Sequence, residues 1–250
     1  MLKARNITIK FGGLIAVNDV SLDVADGKIT CLIGPNGAGK TTFFNCISGV
    51  YKPDAGTVEY NGKYLQGKKG YQINKAGISR TYQIINLFRK MTVLENVMIG
   101  MHSSLKTGFL DALFHTKKQR AEDKAAVEKA YDLLKFVGLQ DKANDPAGSL
   151  SYGEQRLLEI VRGLANDPGL LLLDEPAAGM NTTEKAEFDK LLKKILARNV
   201  NILMIEHDMK LVMDVADYIY VLEHGKLLAS GTPEEVRANP DVIKAYLGGE

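Results

Sequence analysis

A glycine-rich loop between a predicted strand and a predicted helix restricts this chain to a small group of folds. Residues 28–33 are mostly apolar and β-branched, which predicts a strand that is covered on both faces. The glycines at positions 34, 37 and 39 cannot continue that strand, and residues 40–48 favour a helix. The sequence therefore predicts a strand–loop–helix unit in an α/β protein with parallel strands.

The loop itself has the residues of a phosphate-binding site. Residues 34–41, Gly-Pro-Asn-Gly-Ala-Gly-Lys-Thr, fit the P-loop pattern G-x-x-x-x-G-K-[ST]. Backbone N–H groups of such a loop approach the β-phosphate, and the helix N-terminus adds partial positive charge. Lys40 reaches the β- and γ-oxygens, and the Thr41 hydroxyl can bind Mg²⁺. The alternative, a glycine-rich turn with a solvated lysine, fits less well because both the motif and its position match.

Two adjacent carboxylates follow a second apolar strand. Residues 170–173 are four leucines, and Asp174, Glu175 and Pro176 come next. Ligands bind at the carboxyl edge of open α/β sheets, where such residues lie. Asp174 suits Mg²⁺, and Glu175 suits the polarisation of an attacking water. An Asp-Glu-Pro sequence can also simply end a strand, but the P-loop in the same chain favours the functional interpretation.

The segment 150–156, Leu-Ser-Tyr-Gly-Glu-Gln-Arg, has two interpretations. In the simpler one, Ser151 and Glu154 form an S-x-x-E capping box at the start of an amphipathic helix. In the other, the same helix start is a second anion site. Ser151 supplies a hydroxyl, Gly153 admits close approach, and the first backbone N–H groups have no partner within the helix. Both interpretations remain open on the motif alone.

Composition excludes several classes of protein. The 250 residues include 32 Lys and Arg against 30 Asp and Glu, a net charge of +2 that gives no broad cationic field for nucleic acid. Cys31 and Cys46 lie in apolar stretches, which indicates reduced thiols. No segment reaches the roughly 18 consecutive apolar residues of a membrane-spanning helix, and residues 1–10 lack the apolar stretch of a signal peptide. We expect neither membrane crossing nor secretion.

Hydrophobic patterning predicts the remaining elements. We expect strands at 2–10, 19–24 and 56–60, with a hairpin turn at Asn61-Gly62. Residues 93–139 have a helical pattern and predict an inserted helical lobe. Strands at 170–173 and 202–205 flank a helix at 184–198, which indicates a βαβ crossover. A late hairpin turns at His224-Gly225, and Thr232 caps the helix that follows it.

The order of these motifs resembles the nucleotide-binding subunits of ATP-binding cassette (ABC) transporters over essentially the whole chain. The P-loop, the Leu-Ser-x-Gly signature, Asp-Glu-Pro and a later strand ending in His207 follow that family's order. The resemblance implies an α/β P-loop NTPase with a mixed, largely parallel sheet core, an antiparallel β subdomain and an inserted helical subdomain. It implies one ABC ATPase domain over 1–250. The ATP-binding core and β subdomain would occupy 1–92 and 165–250, and the helical subdomain with the signature 93–164.

The resemblance also implies ATP hydrolysis and a role for each matching residue. ATP would be bound by Phe11, stacked on the adenine, and by the P-loop residues Gly34, Asn36, Gly37, Ala38, Gly39, Lys40, Thr41 and Thr42. Mg²⁺ would be held by Thr41, Gln83 and Asp174. Glu175 would be the catalytic base, assisted by Lys40 and by His207 at the γ-phosphate. Ser151 and Gly153 would contact the ATP of an opposing subunit, so that two cassettes enclose two ATP molecules head to tail.

Three of these residues have simpler interpretations without the resemblance. Phe11 is equally well explained as a core aromatic. Gln83 would be an ordinary polar residue, and His207 a surface or capping group. These alternatives remain open on the sequence.

Two variants of the family motifs resemble the cassettes of branched-chain amino acid importers. The signature carries Tyr152 and Glu154 where glycine and glutamine are commoner, and Asn181 ends the segment Ala-Ala-Gly-Met-Asn where aspartate is usual. The length of the segment 102–124 and the ending 243–248 are similar too. Asn181 can still cap the following helix.

The resemblance implies a set of partners. These are a second ABC ATPase subunit, identical or merely similar, integral membrane permease subunits and, indirectly, a periplasmic or extracellular substrate-binding protein. It places the chain at the cytoplasmic face of the cell membrane as a peripheral protein, with no nucleic acid. The helical lobe and residues 84–88 are the candidates for docking the permease.

Three alternative functions differ from this one. One is an ABC ATPase of another transport system, such as lipid or lipopolysaccharide export. Another is a soluble ABC protein acting on nucleic acid, but such proteins usually carry two cassettes or long coiled-coil insertions, and neither occurs here. The third is an unrelated P-loop kinase or GTPase, but the guanine-reading Asn-Lys-x-Asp motif is missing and the signature would have no purpose.

Overall fold

The computed structural model describes residues 1–101 and 117–247. Contacts divide the chain into one unit of Met1–Arg80 and Gly169–Glu250 and a second unit of Thr81–Pro168. The family resemblance implies divisions after residues 92 and 164, and these bounds stay a prediction. Of the predicted helical stretch, residues 102–116 lie outside the described residues, as does Gly248 in the C-terminal segment.

Two sheets make up most of the first unit. Its strands are β1 (Leu2–Phe11), β2 (Leu14–Val24), β3 (Ile29–Ile33), β4 (Ala55–Tyr60), β5 (Lys63–Tyr64), β6 (Ile78–Arg80), β7 (Leu170–Asp174), β8 (Asn201–Ile205), β9 (Tyr218–Glu223) and β10 (Lys226–Gly231). One sheet is antiparallel, in the order β2-β1-β4-β5. The other is mixed, in the order β10-β9-β3-β8-β7-β6, and only β10 runs antiparallel to its neighbour. The predicted fold class is therefore confirmed.

Local turn chemistry explains both hairpins. Asn61 and Gly62 have φ values of 48° and 76°, and His224 and Gly225 have 46° and 76°. Positive φ at both central residues gives the two-residue turn whose twist matches that of the strands. Both predicted hairpins are confirmed, and so is the βαβ crossover, because β7 pairs in parallel with β8.

Several helices begin at a residue whose side chain caps them. They are α1 (Lys40–Ile47), α2 (Gly70–Lys75), α3 (Val93–Gly100), α4 (Lys117–Phe136), α5 (Tyr152–Leu164), α6 (Thr182–Leu196), α7 (Met209–Val215), α8 (Pro233–Ala238) and α9 (Pro240–Leu247). The side chains of Ser151, Asn181 and Thr232 cap α5, α6 and α8, each with a reciprocal glutamate. The predicted capping roles of Asn181 and Thr232 are confirmed.

The core of the first unit fixes the glycine loop at both ends. Every residue of β3 is buried, and α1 buries Phe43, Phe44 and Ile47 completely. Burial of a large apolar side chain stabilises by roughly 1.5–3 kcal/mol, so the strand before the loop and the helix after it are firmly held. Cys31 and Cys46 are buried free thiols in this core, and burial raises the pKa of Cys46 to about 12.

The second unit holds α3, α4 and α5. Short 3₁₀ turns at Gln140–Lys142 and Ala147–Ser149 lead from α4 to α5. Hydrogen bonds from Ala147 and Gly148 to the carbonyls of Met91 and Arg89 fasten the segment before α3 to this unit. Across residues 1–101 and 117–247, no helix is both long and apolar enough to cross a membrane.

Candidate functional site

The glycine loop follows a path that only glycine permits. At Gly34, with φ 148°, a Cβ atom would lie 2.1 Å from the carbonyl oxygen of Leu222. At Gly39, with φ 97°, it would lie 2.6 Å from the carbonyl oxygen of Ala16. Real Cβ atoms do not approach oxygen so closely. The loop is therefore packed against neighbouring backbone, which fixes the direction of its N–H groups.

The hairpin of β9 and β10 packs against one side of this loop. The N–H of Gly225 donates to the carbonyl of Ala38 at 3.1 Å, and the carbonyl of Gly225 accepts from the N–H of Asn18 at 2.7 Å. His224 and Gly225 thus connect the P-loop to β2. Sequence analysis had identified this dipeptide only as a turn.

An open cavity of about 500 Å³ lies over the loop. Its lining consists of Phe11, Leu14, Ile15, Ala16, Asn36, Gly37, Ala38, Gly39, Lys40, Thr41, Thr42, Glu175, His224 and Gly225. Gly34 is absent from this lining, but all of the other P-loop residues predicted to bind ATP are present. One cavity thus brings together the predicted phosphate-binding residues and the predicted base.

Phe11 lies at the apolar end of the cavity and is not a core residue. Its side chain is 45% exposed, and the edge of its ring contacts Tyr51 with centroids 5.3 Å apart. Leu14 and Ile15, also exposed, extend this apolar surface. Exposed apolar side chains at a cavity suit the flat face of an aromatic group such as a nucleobase.

Lys40 is folded over the P-loop. Its ammonium donates to the carbonyl oxygens of Gly34 at 2.7 Å and Pro35 at 2.9 Å. Burial lowers the pKa of Lys40, while the nearby carboxylates of Glu175 and Asp174 act in the opposite direction. A desolvated ammonium held beside the loop is well placed to attract an anion.

Asp174 ends β7 and shares a buried ion pair with Arg80. The Nη2 atom of Arg80 donates to Oδ2 of Asp174 at 2.8 Å, and the two side chains are 6% and 2% exposed. Nη1 of Arg80 also donates to Asn45 Oδ1 at 2.7 Å and Ser48 Oγ at 2.6 Å. The other carboxylate oxygen, Oδ1, is buried without a hydrogen-bond partner among the described residues. Such an oxygen suits a cation.

Glu175 has a strained backbone and contacts His207. Its φ of 47° is uncommon for a residue with a side chain, and such conformations cost about 1–3 kcal/mol and cluster at functional sites. Oε2 of Glu175 lies 3.6 Å from Nδ1 of His207, whose side chain is largely exposed. The N–H of Glu175 donates to Ile205 at 3.0 Å, which fixes the carboxylate at the sheet edge.

In the second unit, the signature segment caps α5 as its sequence predicts. Ser151 accepts from the N–H of Glu154, and Glu154 Oε2 accepts from the N–H of Ser151 at 3.0 Å. Lys142 donates to Glu154 Oε1 at 2.6 Å, and this hydrogen bond is the main reason that the pKa of Glu154 is lowered. Ser151 and Tyr152 are exposed at the positive end of the helix.

Gln83 is held through its backbone by the same helix. Arg156 is fully buried and donates to the carbonyls of Tyr82 and Gln83, both at 2.8 Å, and to Glu159 Oε2 at 2.9 Å. Burial raises the pKa of Glu159, and the charge of Arg156 opposes that shift. Sequence reasoning gave Arg156 no role. A sequence signal for its burial is nevertheless present. Arg156 lies four residues before Ile160 and therefore on the apolar face of the predicted helix.

Comparisons with known proteins identify the family of this chain. The family described as "ABC transporter" matches residues 17–178, which is more than half of the chain. A second family, described as "Branched-chain amino acid ATP-binding cassette transporter", matches residues 226–250. The chain therefore belongs to the ATP-binding proteins of ABC transporters, and the family indicates ATP binding and hydrolysis.

The similar curated proteins carry a narrower description. The chain is 49% identical over 249 residues to the high-affinity branched-chain amino acid transport ATP-binding protein LivG of Salmonella typhimurium. It is 47% identical over 249 residues to the corresponding protein BraF of Pseudomonas aeruginosa. Each alignment covers 99% of this chain and 98% of the relative.

Solved structures of cassettes have the same fold. An ATP-binding cassette of an ABC transporter in its ADP conformation superposes with a TM-score of 0.86 at 33% identity, over 100% of this chain and 99% of that one. A dimeric cassette in a post-hydrolysis state, bound to ADP and Pi, gives a TM-score of 0.77 at 25% identity, over 93% of this chain and 99% of that one.

Proposed function

We propose that this chain binds and hydrolyses ATP to power the import of branched-chain amino acids. The observation that carries the proposal is the single cavity lined by both the P-loop and Glu175. The names of LivG and BraF, and the family match at residues 226–250, support the choice of cargo. The relatives described as branched-chain amino acid transport ATP-binding proteins match nearly the full length of the chain.

The cavity accounts for the binding of both the adenine and the triphosphate of ATP. Phe11 stacks on the adenine. The backbone N–H groups of residues 36–42 and the ammonium of Lys40 hold the phosphates, since the loop and the start of α1 present donors and partial positive charge. In this state Lys40 exchanges its loop carbonyl partners for phosphate oxygens.

The residues near Asp174 fit a magnesium ion. The unpartnered Oδ1 of Asp174 and the hydroxyl of Thr41 are hard oxygen ligands, which Mg²⁺ prefers. An ion held by these residues would neutralise negative charge on the triphosphate. Arg80 keeps the carboxylate of Asp174 in one orientation.

Glu175 and His207 are the two residues that act directly in ATP hydrolysis. Glu175 orients the attacking water and accepts its proton. His207, beside Glu175, donates to the γ-phosphate as negative charge develops there. The strained backbone of Glu175 indicates that this carboxylate is held in place by its surroundings.

A second subunit completes each site. Ser151 and Gly153 at the start of α5 contact the ATP bound to the opposing subunit, because a helix N-terminus attracts an anion. Two cassettes thus enclose two ATP molecules. The dimeric cassette bound to ADP and Pi supports this arrangement.

The second unit, Thr81–Pro168, serves as the helical subdomain that docks the permease at the cytoplasmic face of the membrane. Ile84 is 82% exposed and Phe88 is also exposed, although both are apolar. They follow Gln83, whose backbone is fixed by Arg156. These apolar residues would contact the permease subunits, which in turn meet an extracellular or periplasmic substrate-binding protein.

The variant Glu175→Gln tests the base assignment. Its amide keeps the shape of the side chain but cannot accept a proton, so ATP affinity should stay near wild type while turnover falls by about 10²–10⁴-fold. The measurement is ATP binding and phosphate release by the purified chain. The matched control is Glu187→Gln, because Glu187 is exposed on α6, where it pairs with Lys190. Wild-type turnover in Glu175→Gln would disprove the role of Glu175.

The cargo is tested in proteoliposomes that contain the chain with its copurified permease and binding protein. We expect ATP-dependent uptake of labelled leucine, isoleucine and valine, and none with Glu175→Gln. Uptake of a different cargo class with no uptake of these three would overturn the proposed substrate while leaving the ATPase assignment in place.

A further inference from the structure

A buried carboxylate links the two segments that carry Glu175 and His207. Glu206 follows β8 directly and is 1% exposed. Its Oε1 accepts from the N–H of Ala177 at 2.8 Å, and its Oε2 accepts from the N–H of His207 at 3.2 Å. Each oxygen of one side chain thus serves a different segment. Ala177 lies in the turn after Glu175, and His207 is the residue that contacts Glu175.

Burial of the Glu206 carboxylate costs free energy, which indicates that its place in the fold is specific. Burial raises the pKa of Glu206, and the backbone N–H groups of Ala177 and His207 act against that shift. No arginine or lysine forms an ion pair with Glu206 in the described part of the chain, so backbone N–H groups provide its partners. A carboxylate that is buried without a cation is unusual for a purely structural position.

A second link joins the same two segments further along. Asp208 caps α7 through the N–H of Leu211 and pairs with Lys185 on α6. The side chain of Lys185 is the main reason that the pKa of Asp208 is lowered. Residues 175–185 and 205–208 are therefore connected at both ends, and Glu206 is the connection nearer to the cavity.

We propose that Glu206 is a positioning residue that holds the backbone at Ala177 and His207 in one arrangement, so that Glu175 and His207 act on the same γ-phosphate. The proposal rests on the roles proposed above for Glu175 and His207. Glu206 acts through these two residues and does not line the nucleotide cavity. Its loss is expected to impair turnover and to leave ATP affinity largely intact.

Two variants separate this role from simple packing. Glu206→Gln keeps the shape but places an NH₂ donor against a backbone N–H, so one of the two links is lost. Glu206→Met is of similar length and removes both acceptors together with the buried charge. If Glu206 served only to fill space, both variants would be tolerated, because replacing a buried charge by an apolar side chain is often neutral or stabilising.

The test measures kcat, ATP affinity and amide exchange in the purified full chain. We expect kcat to fall at least about tenfold in both variants, the energetic equivalent of one lost buried hydrogen bond. The affinity for a non-hydrolysable ATP analogue should stay within about threefold, since the transition state alone is affected. Amide hydrogen exchange at Ala177 or His207 should be faster in both variants, and Glu187→Gln serves as the control for charge removal.

Three results would overturn the proposal. One is unchanged kcat in both variants, and another is a loss of kcat matched by an equal loss of nucleotide affinity. The third needs no variant: Ala177 and His207 amides of the wild-type protein that exchange as fast as exposed amides would show that the link does not exist. If instead the wild-type protein itself hydrolyses no ATP, the proposed function fails, and the amide measurement still tests the link.

Discussion

At the scale of single residues, buried charged side chains fix three of the segments that carry predicted site residues. Arg80 keeps Asp174 oriented, Arg156 fixes the backbone of Gln83, and Glu206 connects Ala177 with His207. Each of the three has one or more partners that lie far away in the sequence. A functional side chain and its supporting residue therefore have to be considered as a pair.

Removing Arg80 should destabilise the protein strongly. In Arg80→Met the carboxylate of Asp174 stays buried without its partner, and breaking a buried ion pair in this way costs about 3–5 kcal/mol. Urea unfolding followed by circular dichroism gives the free energy of unfolding.

The matched control is Arg5→Met, which breaks the half-exposed pair of Arg5 and Asp23. Solvent-exposed pairs contribute only about 0–1 kcal/mol, so this change should be small. Equal losses in the two variants would contradict the structural role given to Arg80.

The sequence points to candidate ligand-binding residues, but it gives no sign of the residues that support them. Lys40, Asp174 and Glu175 follow local motifs whose chemistry depends on neighbours in the sequence. Arg80 and Glu206 each stand at the end of a strand, where a charged residue usually marks the surface. Their function becomes visible only when folding brings distant partners to them, and no local pattern records that.

At the scale of elements, caps and turns were predictable because they are local. The starts of α5, α6 and α8 each follow from a capping residue and a glutamate three positions later. By contrast, β6 and α2 had no sequence signal. A strand of three residues is too short to show periodicity, and β6 exists because it pairs with β7.

The cap of α5 gives a prediction for pH. The pKa of Glu154 is lowered chiefly by Lys142, so the folded state favours the carboxylate. Its contribution to stability is present above its unfolded pKa of about 4.3 and is lost as pH falls through the lower folded pKa. In Lys142→Met the pKa of Glu154 should rise towards its ordinary value.

A carboxyl NMR titration of both proteins measures this shift directly. Lys190→Met is the control, because it removes the partner of another glutamate, Glu187, and should leave Glu154 unchanged. An identical Glu154 titration in wild type and Lys142→Met would show that Lys142 does not lower the pKa of Glu154.

At the scale of the whole molecule, the proposal requires two copies to complete each site. The variant Gly153→Asp tests this in the Glu175→Gln background, where bound ATP is not consumed. An acidic residue in the first turn stabilises a helix, so α5 should fold normally. The added carboxylate should nevertheless repel the triphosphate of the opposing subunit. We expect ATP-dependent dimers in sedimentation velocity for Glu175→Gln alone and monomers for the double variant.

The control places the same charge in the first turn of a different helix. Tyr71→Asp on α2 is exposed and far from the signature in sequence, so its dimers should persist with ATP. Dimers of equal stability in both double variants would remove Gly153 from the proposed interface.

The two hairpin turns share one backbone conformation but differ in what surrounds them. A Cβ at Gly62 would meet nothing within 4 Å, whereas one at Gly225 would lie 2.7 Å from the carbonyl oxygen of Ala16. Insertions should therefore accumulate at the first turn as related genes diverge and be eliminated at the second. An engineer who wishes to attach a tag or a fluorophore inside this chain should choose residues 61–62 and leave 224–225 untouched.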